Sequence, residues 1–397
     1  MKKAHISLVI PTFNCADNLK VLLASIAGQS LHPNEIIISD SSDNKLIEDL
    51  VSSTSIGIPI IYIKSHKKYP GEKRNEGALA ANFEWIAFLD VGTIPRFSWL
   101  EESLLIATSH GYDAIFGLTK YRALNHFQEL LRAATFGRFG HETTPGTLVK
   151  LEYFKKSGGF IEDIRAGDDQ EWRMQLRDVS NKCFTPNHTT LDYSILPSSL
   201  IAMQKKYFIY AFHGTRVSAQ KKSRDIYFCI LLLLSMVIVT KWNHLIDGWD
   251  TNPLFIPHIL KIYTLSMVTT LFTYIVIRSF AGRVGQLSLL DWFSKIFLFC
   301  LISLSVYNWN ASIIEFVEGS ILYIPHITKI YLSLVLMASF FYRGVQLPLK
   351  LGVKKNFLFP KNWIIVGLIG LSLDLVKTPG ILLGVFLAPF LKRPSQL

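Results

Sequence analysis

The chain is short of charge. Of its 397 residues only 18% are Asp, Glu, Lys or Arg, while half are hydrophobic. The mean hydropathy of +0.30 is too high for a typical soluble protein and points to membrane attachment. Cysteine is also scarce. Cys15, Cys183, Cys229 and Cys300 are scattered, two of them in apolar runs. That excludes a disulfide framework or a metal-binding spacing and fits a reducing compartment for the soluble part. No long apolar run follows Met1-Lys2-Lys3, so no secretory signal peptide is read there. No G-x-G-x-x-G follows the first strand-like run, and G-x-x-x-x-G-K-[ST] does not occur, which argues against a dinucleotide fold and a P-loop ATPase. The net charge of +11 suits nucleic acid or an anionic membrane. With no basic helix or aromatic ladder, the membrane surface is the expected partner and nucleic acid is not.

What is present divides in two. The first 225 or so residues alternate strand-like and helix-like runs. Strands are expected at 5–10, 35–39, 58–63, 85–89 and 114–118. Helices are expected from Asn14 to Ala27, where Leu19, Leu22, Leu23 and Ile26 share a face, around Leu46 to Val51, and from Gly71 to Ala81. Such alternation predicts a mostly parallel sheet covered on both faces. Ligands of these sheets sit outside the carboxyl ends of the strands. Thr12, Asn14, Asp40, Ser42 and Asp90 fall at those ends. Arg132 to Gly146, rich in Gly, Arg, His and Thr, reads as a solvated loop over the site, with His141 and Glu142 in it.

The densest chemistry lies between Gly158-Gly159-Phe160 and Asp168-Asp169-Gln170-Glu171-Trp172-Arg173. Trp172, Gln175 and Leu176 fall at helical spacing, so the acids open a helix, where the dipole and the free N–H groups favour them. A pair of adjacent acids can divide labour, one positioning and one accepting a proton.

Taken in order, Val9-Ile10-Pro11-Thr12-Phe13-Asn14, Glu35 to Ser42, Gly71-Glu72-Lys73-Arg74-Asn75-Glu76-Gly77, Ala87-Phe88-Leu89-Asp90 and the Gly-Gly-Phe … Gly-Asp-Asp stretch resemble the family-2 glycosyltransferases of GT-A fold. The resemblance spans roughly residues 5–180. It implies that Pro11, Thr12 and Asn14 line a nucleotide slot with Ser42, and that Asp40 accepts a base N–H. It also implies that Arg74 and Asn75 reach the donor. Asp169 is implied as the catalytic base, with Asp168, Glu171 and Trp172 on the acceptor side. Asp90 matches the first acid of the family's D-x-D motif, which holds Mg²⁺ or Mn²⁺ on the diphosphate. Here the second acid is replaced by Gly92. Three arrangements remain open: Asp90 with phosphates and water, help from Thr93, or basic residues carrying the charge. The Gln-x-x-Arg-Trp motif of processive members survives only as Gln204.

Domain expectations follow. Residues 1–195 form the α/β GT-A domain and 196–225 amphipathic interfacial helices. Residues 226–397 form an all-α transmembrane region with spans near 226–241, 260–278, 292–308 and 328–342. Ile256-Pro257-His258-Ile259 recurs as Ile324-Pro325-His326-Ile327, and Trp242-Asn243 as Trp309-Asn310, which reads as a duplicated helix hairpin. Basic residues on the opposite side from these loops place the enzyme domain in the cytoplasm by the positive-inside rule. The protein is thus expected to be multi-pass in the inner (plasma) membrane. Residues 363–391 read as a re-entrant or interfacial hairpin around Asp374 to Gly380. The expected function is inverting transfer of a sugar from a nucleotide-diphosphate sugar to a lipid-linked or membrane-proximal glycan acceptor, in surface-polysaccharide assembly. Its rivals are a processive synthase and a non-catalytic membrane subunit.

Overall fold

The computed structural model describes residues 5–220, 327–387 and 395–396. Residues 1–222 and 340–397 make one compact unit and 223–339 another. The expected spans at 226–241, 260–278 and 292–308, and most of the duplicated hairpin, lie outside the described residues.

The first unit is built on a sheet that takes nine strands from the described residues, in the order β3-β2-β1-β4-β7-β6-β9-β5, with β8 beside β6. Strands β1 (Ile6–Thr12), β2 (Glu35–Asp40), β3 (Ile60–Lys64) and β4 (Trp85–Phe88) run parallel. Helices α1 (Ala16–Ala27), α2 (Leu46–Ser53) and α3 (Pro70–Leu79) connect them. Strands β1, β2 and β4 and helix α1 follow from the apolar pattern, because each has an apolar face to bury, whereas α3 buries Glu72, Lys73, Arg74 and Asn75 instead. The sheet is not mostly parallel beyond β4. Strand β7 (His141–Lys150) enters antiparallel to both β4 and β6 (Ala114–Tyr121). The expected loop at 132–146 is therefore the end of helix α5 (His126–Thr135), a short turn and the start of β7. Its polar residues are paired rather than solvated: Glu142 accepts from Arg177 and Thr185. Short strands β5 (Thr93–Pro95), β8 (Cys183–Phe184) and β9 (Leu191–Tyr193) and helices α4 (Trp99–His110) and α6 (Leu151–Lys156) complete the layer.

Two apolar cores sandwich the sheet. One packs α1, α2 and α4 through Leu19, Leu22, Ile47, Trp99 and Leu100. The other is aromatic: Phe88, Phe154, Phe160 and Trp172 meet with ring centroids 4.6–5.8 Å apart. Trp172 belongs to α7 (Asp168–Val179), is 0% exposed and donates its indole N–H to Ser157 Oγ at 3.0 Å. This ring seats the first turn of α7 beside the end of β4.

After the sheet, α8 (Leu200–Gly214) is followed by a 3₁₀ turn at Ser218–Gln220. Helix α9 (Ile327–Phe341) covers the expected span at 328–342 as far as the description reaches. Two single-turn helices, α10 (Leu347–Lys350) and α11 (Lys355–Leu358), lead to α12 (Asn362–Leu387). The hairpin expected over 363–391 does not form: 362–387 is one continuous helix. Asp374 does not interrupt it, because Arg343 Nε at 2.5 Å and Lys377 Nζ at 2.9 Å pair its carboxylate. Small residues then let α12 lie close along α8. A side chain at Gly380 or Gly384 would strike the carbonyls of Phe208 and Phe212 at 2.7 and 2.5 Å. This is the close approach that small residues four apart permit. Leu130, Met203, Val366, Ile369 and Leu373 form the core between α5, α8 and α12. The domain boundary expected at 195 thus falls inside one packed body. Among the described residues, one helix, over Asn362–Ile381, is long and apolar enough to cross a membrane.

Trp172→Ala empties the aromatic core, so the unfolding free energy should fall by about 3–5 kcal/mol in denaturant titrations. An unchanged midpoint would show that the ring has no such structural role.

Candidate active site

The parallel strands end on one edge, and their last residues converge there. Asp40 ends β2 and is fully buried. Its Oδ1 accepts from Thr12 Oγ1 at 2.9 Å and Ser42 Oγ at 2.6 Å, and its Oδ2 accepts from Tyr62 at 3.1 Å. A free carboxylate facing a nucleobase, as the sequence implies, is not what stands here. Asp40 ties β1, β2 and β3 together, because a buried carboxylate needs these donors. Pro11, Thr12 and Ser42 are buried with it. The exposed face of this slot is made by Phe13 and Asn14, the latter held at φ +48° by its N–H on Ser42 Oγ and its side chain on Asp43.

Sequence reading passed over Lys73 at this slot. It is 3% exposed, donates to the Thr12 carbonyl at 2.7 Å and Ser41 Oγ at 2.9 Å, and lies 5.6 Å from the Phe13 ring centroid. Burial pulls its ammonium down to about 8, against the attraction of Asp40. The sequence shows only a charged helix start after Pro70, and that Glu72, Lys73, Arg74 and Asn75 are buried in succession is visible in the structure alone.

One turn of α3 supplies the next two groups. Asn75 is buried and clasps the Phe160 backbone, donating to its carbonyl and accepting from its N–H, both at 2.8 Å. It holds the Gly-Gly-Phe turn and does not face a donor. Arg74 is 4% exposed. Its Nη2 donates to both oxygens of Asp90 at 2.7 Å and its Nη1 to Asp168 Oδ2 at 3.0 Å, with the guanidinium over the Phe160 ring at 5.3 Å. The two flanking carboxylates raise the Arg74 pKa above its usual value, outweighing burial. Burial pushes Asp168 up to about 7, and Asp169 and Asp90 add to that, against the pull of Arg74.

Helix α7 opens at Gly167, whose φ of +91° only glycine adopts easily and where a side chain would meet Val217 at 2.9 Å. The acids of its first turn then diverge. Asp168 points inward to Arg74. Asp169 keeps 34% of its side chain exposed, with Oδ2 on Arg173 Nη1 at 3.1 Å. Glu171 is buried and accepts from the Ala219 N–H at 2.8 Å, anchoring the segment after α8. Trp172 is sealed in the core. Trp172, expected in an acceptor wall, is instead buried in the aromatic core, and Glu171, expected to position the acceptor or the helix, holds the segment after α8.

The residues present do not make a divalent cation site. Both Asp90 oxygens accept from Arg74. Gly92, where a second acid would stand, has φ +95° and packs against Ile195, which a Cβ would meet at 2.5 Å. Thr93 spends its hydroxyl on the Asp90 carbonyl at 2.7 Å. No group of three His, Cys, Asp or Glu suited to a metal occurs among the described residues.

Residues 7–163 match the family model for glycosyl transferase family 2. A pre-mycofactocin glycosyltransferase of Mycobacterium tuberculosis is 25% identical over 190 residues, 43% of this chain and 38% of that protein. The GalNAc(5)-diNAcBac-PP-undecaprenol beta-1,3-glucosyltransferase of Campylobacter jejuni is 29% identical over 115 residues, 28% of this chain and 37% of that one. The chain thus spans well under half the length of these curated relatives. Among solved structures, S. aureus TarS 1-349 with UDP-GlcNAc aligns over 62% of this chain and 74% of that one at 16% identity, with a TM-score of 0.40.

Because Lys73 has its pKa lowered from 10.5 in a buried site, the unfolded chain holds the extra proton at pH values above about 8. This group therefore adds stability as pH rises. From about pH 8 to about pH 10 the wild type should gain roughly 2 kcal/mol relative to Lys73→Met in denaturant titrations. Parallel pH profiles would show that Lys73 stays charged in place.

Proposed function

Residues 7–163 form a family-2 glycosyltransferase domain of GT-A architecture, and from that premise we propose that the chain is an inverting sugar transferase. It takes a sugar from a nucleotide-diphosphate donor and passes it to a lipid-linked or membrane-proximal glycan at the cytoplasmic face of the membrane, in surface-polysaccharide assembly. The observation that carries this reading is the position of Asp169. It stands partly exposed at the carboxyl edge of the parallel strands, beside the ion-pair cluster of buried Arg74 and Asp168 with partly exposed Asp90. Among the described residues only one of its oxygens is bound, whereas both Asp90 oxygens are taken by Arg74.

In this arrangement Phe13, Asn14 and Lys73 hold the nucleotide end of the donor. Arg173 orients Asp169. The free oxygen of Asp169 removes the proton of the acceptor hydroxyl as that oxygen attacks the anomeric carbon. The new C–O bond forms on one face while the bond to the phosphate breaks on the other, and the nucleoside diphosphate leaves with the electron pair.

Membrane placement is supported by the apolar helix at Asn362–Ile381, with mean hydropathy 1.7, and by the apolar sequence of 226–342. The undecaprenol-linked substrate in the name of the Campylobacter relative supports an acceptor of the lipid-linked kind. Helix α12, packed on α8 beside the transferase domain, would keep the site at the bilayer surface, where such an acceptor is concentrated.

Asp169→Asn should keep the wild-type melting temperature and lose roughly 10²–10⁴-fold in turnover with saturating donor and acceptor. Undiminished transfer by that variant would remove Asp169 as the base.

A further inference from the structure

Three acids, Asp90, Asp168 and Asp169, surround the place where a donor diphosphate has to lie, and Arg74 is already committed to two of them. A diphosphate brought here needs further positive charge. The donors for a metal do not fit, as shown above, so the charge has to come from side chains.

Two cations meet the requirement. Helix α8 carries Lys206, whose Nζ lies 5.9 Å from the Tyr193 ring centroid and 5.5 Å from that of Tyr210. Tyr193 pairs with Thr93 across β5 and β9, and its ring lies 3.6 Å from where a Cβ on Gly92 would stand. The Lys206 ammonium is thereby fixed over the turn from which a second acid would otherwise reach a metal. Arg165 is the second cation. It is exposed, three residues before Asp168, and its field reaches Asp168, Tyr193, Lys206 and Tyr210. Among the described residues neither Arg165 nor Lys206 forms an ion pair with a carboxylate. Burial, and then the Arg165 charge, lowers the Lys206 pKa, so an anion brought beside the half-buried Lys206 ammonium would relieve it.

We propose that Lys206 and Arg165 bind the donor diphosphate in the place of a divalent cation, making nucleotide binding and sugar transfer metal-independent. The inference rests on the transferase reading of the site and adds the residues that meet the leaving group. Like a metal, the two cations would stabilise charge that grows on the phosphate as the sugar leaves. Unlike a metal, one of them is carried by α8, which packs against α12.

The test is calorimetric titration of the full detergent-solubilised chain with UDP, GDP, CDP, ADP and dTDP, each in EDTA and in excess Mn²⁺. At least one nucleotide should bind with the same affinity in both. Lys206→Met and Arg165→Gln should each weaken that binding about tenfold in EDTA with unchanged melting temperature. Binding that appears only with Mn²⁺ overturns the proposal and leaves the transferase reading intact. Wild-type affinity in both variants overturns it as well. If a variant does not fold, the wild-type comparison of EDTA with Mn²⁺ decides alone. No binding of any of the five in either condition overturns the transferase reading together with the proposal.

Discussion

The Arg74 guanidinium is the constraint on which the site depends. It lies almost wholly buried between Asp90, just past β4, and Asp168, at the start of α7. Three segments far apart in the chain meet at one side chain. Removing either acid would leave a buried cation under-compensated, which is far more costly than never burying the pair. The neighbouring elements answer to this junction. Asn75, one residue on, clasps the Phe160 backbone, and Phe160 places its ring under the guanidinium. Trp172 locks the same turn from below through the aromatic core. The junction therefore has little freedom to move, and a fixed charge arrangement costs no reorganisation during a reaction.

The same junction divides the acids by role. Asp168 and Asp169 are adjacent in sequence and chemically alike, yet one is buried against Arg74 and the other open at the edge. A helix turns by roughly 100° per residue, so neighbouring side chains cannot share a face. Asp90 is set apart in a different way, since both of its oxygens are occupied by Arg74. A site with one open carboxylate and two closed ones is suited to a single proton transfer beside a strongly organised field.

The helical segments after the sheet are part of this organisation. Glu171 receives the N–H of Ala219, so the segment following α8 is pinned to α7 itself. Helix α8 is in turn held by α12 through Gly380 and Gly384. The ion pairs of Asp374 with Arg343 and Lys377 allow a carboxylate to sit in an otherwise apolar helix without breaking it. Helix α8 with the segment that follows it is thus held from two sides, by α7 through the Ala219 N–H and by α12 through its two glycines.

Much of this was legible in the residues. Apolar runs announced β1, β2 and β4 and an apolar face announced α1, and polar residues at successive strand ends marked the edge where the candidate site lies. Asp169 and Arg74 could be picked out by the resemblance of their motifs, and the structure sets them close to one another, Arg74 on Asp168 and Asp169 beside it on Arg173. Periodicity could not show the antiparallel entry of β7, since strand direction depends on partners distant in sequence. Nor could it show that 362–387 is one helix, because one of the two partners of Asp374 lies thirty-one residues away at Arg343. The sequence by itself determined which residue types were at hand and which local elements they form, since both follow from short-range sterics and apolar spacing. Only the tertiary structure decided which of those residues face a ligand. Trp172, Asn75 and Asp40 went inward to satisfy packing and hydrogen bonds, Lys73 went inward with them onto the Thr12 carbonyl, and Asp169 stayed partly open beside Arg173.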